Sequence, residues 1–198
     1  MAAFDSCAYG STIADLLSVP RTMSLGPGVC NKPASSALER LSNQDALEPH
    51  SITDAQMADG CRAALWLYHD YLDVSHTISQ GIASETGSYW HGIMHRREPD
   101  YPNSKYWFRQ VGDHAVYADL FRISAELATA LPEVPAGMEY LVSQKNWDPF
   151  AFADSCELAD GSQGAARDLC VQIQMREWEL LLFLRFSMAS HKMRSWLL

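Results

Sequence analysis

Residues 53–81 read TDAQMADGCRAALWLYHDYLDVSHTISQG and repeat apolar side chains at the spacing of an amphipathic helix. The repeating positions, mostly three or four residues apart, are Met57, Cys61, Ala64, Leu65, Tyr68, Leu72 and Ile78. Thr53 and Gln56 together form a capping box, and Gly81 is typical of the residue that follows a helix. The pattern therefore predicts one long helix over residues 54–80.

Helical patterns continue after residue 81, and no segment shows the regular apolar–polar alternation of a half-buried β-strand. Capping residues and glycine or proline breakers predict further helices over about residues 86–97, 104–111, 113–131, 137–144, 148–158 and 165–189. The chain has the length of one domain and no internal repeat. We therefore expect an all-α protein, built as a single-domain irregular helical bundle.

Residues 1–50 differ from the rest because helix breakers interrupt them repeatedly. The breakers are Pro20, Gly26, Pro27, Gly28, Pro33 and Pro49. We expect a loop-rich N-terminal arm with a short helix near its start and a helical turn at residues 36–41, followed by a helical domain over residues 51–198. Such an arm can be an ordered lid over a site or a partly mobile segment, and the sequence leaves both interpretations open.

The charge balance of the chain is acidic, with a formal net charge of −9. Nucleic acids and anionic membrane surfaces both attract basic faces, so we expect neither partner. The start of the chain lacks the charged and apolar regions of a secretory signal, and no apolar run reaches the length of about 18 residues that spans a bilayer. The five cysteines form no CxxC pair, which fits a reducing compartment. These features predict a cytoplasmic protein.

Histidines and carboxylates recur at helical spacing in the middle of the chain. Each of two successive predicted helices presents two imidazoles and a carboxylate at i, i+4 and i+7: His69, Asp73 and His76 on the first, His91, His95 and Glu98 on the second. If the helices pack as an antiparallel pair, both stripes face one cleft. Imidazole and carboxylate ligands suit zinc, iron, manganese or nickel. Asp70 can orient a neighbouring imidazole, and Asp70 and Glu98 are the candidate catalytic carboxylates.

Aromatic and basic side chains surround the second pair of histidines, in the run GSYWHGIMHRREPDYPNSKYWFRQVGDH of residues 87–114. Aromatic walls with a few placed charges are typical of a small-molecule pocket, and arginine binds carboxylate or phosphate groups through two hydrogen bonds. The candidate substrate-binding residues are Arg96, Arg97, Lys105, Arg109, Trp90 and Tyr106. The alternative is that the two arginines form ordinary surface ion pairs with Glu98, Asp100 or Asp113.

The segments LYHDYLDVSH, residues 67–76, and YWHGIMHRREPD, residues 89–100, carry these histidines. Both segments resemble an uncharacterised family of hypothetical proteins. The resemblance implies no activity, cofactor or substrate.

Three functions remain open from the sequence. The first is a metal-dependent enzyme that acts on a small anionic substrate, a carboxylate or phosphate, in a pocket of histidine, arginine and aromatic residues. The second is a metal-free small-molecule-binding or regulatory module that uses the same pocket. The third is a structural or interaction protein whose histidines are hydrogen-bonded core groups. Trp196 and the leucines that follow it are candidates for a homodimer contact.

Overall fold

The computed structural model describes residues 5–47 and 55–189, and within them the chain forms α-helices and short 3₁₀ turns but no β-strand. The α-helices are α1 Gly10–Leu17, α2 Lys32–Arg40, α3 Ala55–Tyr68, α4 Leu72–Ser79, α5 Glu85–Arg97, α6 Tyr101–Val111, α7 Tyr117–Thr129, α8 Tyr140–Ser143, α9 Pro149–Ala159 and α10 Ala165–Ala189. The predicted all-α class is confirmed. The predicted cap at Thr53 and the predicted dimer contact at residues 196–198 lie outside the described residues.

Helix α5 lies at the centre of the fold. Every residue from Thr86 to Arg97 is buried, and the helix packs against α3, α4 and α6. A helix that is covered on all sides belongs to the core even when its sequence is partly polar. Gly92 allows α6 to approach closely, since a Cβ atom there would lie 3.2 Å from the Phe108 ring. The Ser104 hydroxyl fixes the same contact by donating to the Gly92 carbonyl at 2.7 Å.

The single helix predicted over residues 54–80 is wrong, because the chain breaks between Tyr68 and Leu72. Asp70 adopts a left-handed φ of 65°, which aspartate tolerates better than most residues. The Arg97 side chain donates to the Leu67 carbonyl at 2.7 Å, while the Tyr71 N–H bonds to Trp66 O instead of Leu67 O. A side chain that inserts into the backbone ladder in this way breaks a helix although the apolar pattern runs on.

Four other predicted helical segments begin elsewhere than expected. The turn predicted at residues 36–41 is the helix α2, which begins at Lys32, and α8 begins at Tyr140 rather than at residue 137. Helix α6 begins at Tyr101, three residues before the predicted start at Ser104, because the Asp100 carboxylate caps it by accepting from the Asn103 N–H. Helix α7 begins at Tyr117 rather than at residue 113. The predicted helices near residues 86–97, 148–158 and 165–189 are confirmed as α5, α9 and α10.

The N-terminal segment contributes to the hydrophobic core. Ile13, Met23, Leu25 and Leu38 are fully buried, in two clusters that also contain residues of α3 and α10. Gln174 of α10 holds the loop after α1 by donating to the Ser24 carbonyl at 3.0 Å. Among the described residues, no helix combines the length and apolarity needed to cross a membrane.

Candidate metal centre

Helices α4 and α5 bring three histidines together. His76 lies on α4, and His91 and His95 lie one turn apart on α5. One ring nitrogen from each lies within 4.8 Å of the others, and we call these residues the histidine trio. Among the described residues, these three histidines form the cluster whose side chains lie close enough together to hold one metal ion.

The rings of the trio are arranged as a stack with one ring at its edge. His91 lies parallel to His95, with 4.7 Å between ring centroids and 13° between planes. Trp107 of α6 also stacks on His91, with 4.0 Å between ring centroids and 16° between planes. His76 meets both imidazoles edge-on, at 4.8 Å from His91 and 5.0 Å from His95. The three imidazoles therefore form one contiguous cluster, with one nitrogen of each within 4.8 Å of the others.

His91 is the member of the trio whose nitrogens are unsatisfied. The residue is only 2% exposed, and neither Nδ1 nor Nε2 has a hydrogen-bond partner in the part of the chain that the structure describes. Burial lowers the pKa of His91 to about 3, and the neighbouring His95 and His76 contribute in the same direction. Leaving such a polar group unpaired costs about 1–3 kcal/mol. A neutral imidazole with free lone pairs is the form that binds a metal ion.

His95 differs from His91 because polar groups surround it. Its Nδ1 lies 3.2 Å from the Glu98 carboxylate and 3.9 Å from that of Asp100. The Asn103 side-chain nitrogen lies 3.1 Å from its Nε2. Burial and the neighbouring His76 lower the pKa of His95, and Asp100 opposes them. A carboxylate that accepts from Nδ1–H fixes the tautomer in which Nε2 carries the lone pair. That lone pair now faces the Asn103 amide, which a metal ion at Nε2 would have to displace.

The Glu98 carboxyl group has two acidic neighbours, Asp73 and Asp100. Burial raises the pKa of its carboxyl, His76 opposes the shift, and Asp73 and Asp100 add to it. Asp73, an exposed residue of α4, therefore lies near enough to Glu98 for its charge to raise the pKa of the Glu98 carboxyl. The rim of the trio therefore carries three carboxylates, and a bound divalent cation would compensate their charge.

The trio fits the ligand set of a zinc-type ion. Zinc binds imidazole nitrogen at about 2.0–2.1 Å, which in a tetrahedral site places ligand nitrogens about 3.3 Å apart. The ligand nitrogens of the trio lie up to 4.8 Å apart, so binding one ion at this spacing would require its side chains to rotate inward. Three protein ligands leave a fourth position open, as catalytic zinc sites do.

Two residues of the predicted first stripe lie away from the trio. His69 precedes the helix break, and its Nδ1 lies 2.9 Å from the Asn31 side-chain nitrogen. Burial lowers the pKa of His69 to about 4, with a further contribution from Arg21. Asp70 is held by ion pairs with Arg97 and Arg21. The grouping of His69 with His76 on one helical face is therefore wrong, because the break at Asp70 changes the direction of the chain.

The predicted basic residues do not converge on one pocket. Arg96 and Arg97 are fully buried, and each pairs with a carboxylate from another helix or turn, Glu177 and Asp70 respectively. Lys105 pairs with Asp154 of α9, and Arg109 is exposed. A buried guanidinium must be paired to be tolerated, and this need decides where both arginines point. The alternative surface pairs with Glu98, Asp100 or Asp113 are likewise not formed by these two arginines.

The predicted aromatic residues separate into core and surface. Trp90 is fully buried in the core cluster, whereas Tyr106 is half-exposed and meets Trp107 edge-on at 5.5 Å. Trp107 and Asn103, which are not among the predicted site residues, contact the trio directly. Their i, i+4 spacing on α6 could have identified them, since it places both on one helical face.

The comparisons with known proteins add no function to this geometry. The chain matches no protein-family model, no curated protein and no solved structure. This result agrees with the resemblance of the two histidine-bearing segments to uncharacterised proteins.

Proposed function

We propose that the protein is a metal-dependent enzyme in which the histidine trio holds one divalent transition-metal ion. The observation that carries the proposal is the buried His91, whose two ring nitrogens lack a partner among the described residues while two further imidazoles lie beside it. A bound ion would satisfy one of these nitrogens and would offset the acidic rim. Hydrogen-bonded core histidines, the structural alternative, would show paired nitrogens.

Among the metals expected from the sequence, zinc is the first choice. Three neutral imidazoles with an open fourth position are a ligand set of catalytic zinc, while nickel and iron also accept imidazole. Manganese prefers a larger share of oxygen ligands, which the trio itself does not supply. When bound, the ion would polarise a substrate oxygen or lower the pKa of a bound water.

Glu98 is the residue that we propose for proton transfer. Its carboxylate lies 3.2 Å from His95 Nδ1, and burial raises its pKa. A carboxylate in this position holds the imidazole in one tautomer and can accept a proton at the edge of the centre. Asp70, the second predicted catalytic carboxylate, is committed to Arg97 and Arg21.

The surroundings of the trio favour an uncharged substrate over the anionic one expected from the sequence. The nearby side chains Asp73, Glu98 and Asp100 are acidic, and Arg96, Arg97 and Lys105 pair elsewhere. An anionic substrate would be attracted by the metal ion alone. We therefore propose metal-assisted attack of water on a small neutral carbonyl compound.

A direct test is the hydrolysis of 4-nitrophenyl acetate, an uncharged activated ester, by the zinc-loaded protein. We expect turnover that a chelator abolishes, that added zinc restores, and that His91→Ala removes. His69→Gln is the matched control, because His69 is also a buried histidine but lies away from the trio. Activity that survives the chelator, or that His91→Ala leaves unchanged, would contradict the proposal.

A further inference from the structure

A cavity lies away from the histidine trio, between the end of α6, the start of α7 and residues 144–150. Its volume is about 1100 Å³, and none of the trio lines it. Pockets for small organic ligands measure about 300–1,000 Å³, so the cleft is large enough for a ligand of two or three rings.

The walls of this cleft are aromatic. Three helices and the loop before α9 contribute these rings, which are Phe108, Tyr117, Phe121, Trp147 and Phe150. Trp147 is 5% exposed and packs against Phe152 at 5.1 Å between ring centroids, which fixes its position. Aromatic surfaces of this kind bind flat rings by stacking and edge contacts.

Polar atoms without partners lie in the same walls. The two amide atoms of Gln144, the Trp147 Nε1 and the Tyr117 hydroxyl are all buried without a hydrogen-bond partner among residues 5–47 and 55–189. Buried polar atoms are normally satisfied, so four such atoms around one cleft call for a ligand or water. Gln144 is only half-buried, and rotation of its side chain would turn the amide toward the open space.

The charges at the mouth of the cleft limit what can enter. Asp113 and Asp148 are exposed there, together with the single base Lys145. Their sum is negative, which disfavours a phosphate or carboxylate ligand.

We propose that this cleft binds an uncharged heteroaromatic ring whose edge carries neighbouring hydrogen-bond donor and acceptor groups, as a purine base does. The Gln144 amide offers one donor and one acceptor side by side, which matches such an edge in two parallel hydrogen bonds. The Trp147 N–H and the Tyr117 hydroxyl are covered by neighbouring atoms and would join these contacts only after the side chains around them move, and the aromatic walls cover the ring faces. The site is independent of the proposed metal centre.

The test is ligand-observed saturation-transfer NMR with the full chain and four probes: inosine, adenosine, inosine 5′-monophosphate and toluene. We expect a nucleoside to bind, the monophosphate to bind more weakly because of its charge, and toluene to bind more weakly because it lacks a polar edge. Inosine presents a cyclic amide and adenosine an amino-substituted ring nitrogen, so their order identifies the preferred edge. A chelator and His91→Ala should leave this binding unchanged, which separates it from the metal centre.

Gln144→Met keeps the size of the side chain and removes its polar edge, and we expect affinity to fall about tenfold. Trp147→Phe, a second variant that keeps an aromatic ring but loses the N–H, should also weaken binding. Gln80→Met, on an exposed residue outside the cleft, is the matched control. The proposal is overturned if neither nucleoside binds at about 1 mM, the weak end of specific recognition. It is also overturned if toluene binds as well as the nucleosides, or if a folded Gln144→Met or Trp147→Phe variant keeps wild-type affinity.

Discussion

The indole of Trp107 lies parallel to the imidazole of His91, with 4.0 Å between ring centroids and 16° between planes. Trp107 belongs to α6 and His91 to α5, so the stack depends on the close approach of these helices at Gly92. One face of the candidate metal ligand is thereby covered by an aromatic ring, while its two nitrogens lie in the ring plane and stay available. The contact also provides a spectroscopic reporter beside the histidine trio.

Nickel bound to the trio should quench the fluorescence of Trp107, because the paramagnetic ion would lie next to the indole. We expect emission from the wild-type chain to fall on adding nickel in an approximately one-to-one ratio. In Trp107→Phe the remaining tryptophans should lose much less emission, whereas Trp147→Phe should behave like the wild type. Equal quenching in wild type and Trp107→Phe would show that nickel does not bind at the trio.

Glu98 should strengthen metal binding through His95. Replacing a carboxylate that holds a metal-binding imidazole weakens metal affinity by about 10–100-fold, and we expect Glu98→Gln to fall in this range. Asp73→Asn is the comparison, because it removes one charge of the same rim but not the carboxylate beside His95 Nδ1, so we expect a smaller loss of affinity. Zinc affinities measured by competition with a chromophoric chelator check the difference. Unchanged affinity in Glu98→Gln would remove Glu98 from the proposed centre.

The Asp70 carboxylate should be essential for stability because it compensates the buried Arg97. Asp70→Asn keeps the shape and the tolerance of a left-handed φ but leaves a fully buried guanidinium without its counter-charge. Breaking a buried ion pair on one side costs about 3–5 kcal/mol in the free energy of unfolding. Glu126→Gln, which breaks the exposed pair with Arg122, should cost less than about 1 kcal/mol. Urea unfolding of both variants measures the contrast, and similar small losses would refute the assigned role.

His69 should make the folded chain sensitive to acid. Its pKa is lowered from 6.5 to about 4 in the folded state, mainly by burial, so the unfolded chain binds a proton there at a higher pH than the folded chain does. The free energy of unfolding therefore decreases as the pH falls from about 6.5 toward 4, and the loss is complete below the folded pKa. In His69→Gln this part of the pH dependence should disappear. Urea unfolding of the two proteins at several pH values tests it, and parallel curves would contradict the assignment.

The sequence predicted the part of the site that depends on local spacing. His91 and His95, four residues apart, lie on one face of α5 as expected, and His76 from α4 meets them. The break that removes His69 could not be predicted, because Arg97, which breaks the ladder, lies 27 residues beyond Asp70. The partner of Arg96 is farther still, since Glu177 lies 81 residues away along the chain. Helical periodicity carries no information on such long-range ion pairs.

The measurement that tests the central claim most directly is elemental analysis and zinc titration of the purified, untagged chain beside its His91→Ala/His95→Ala variant. We predict close to one transition-metal ion per wild-type chain, either as purified or after addition of zinc, and its loss in the double variant with helix content unchanged. His69→Gln should keep the ion. A wild-type chain that takes up no zinc, iron, manganese or nickel, or a double variant that retains one ion per chain, would contradict the assignment of the histidine trio as a metal centre.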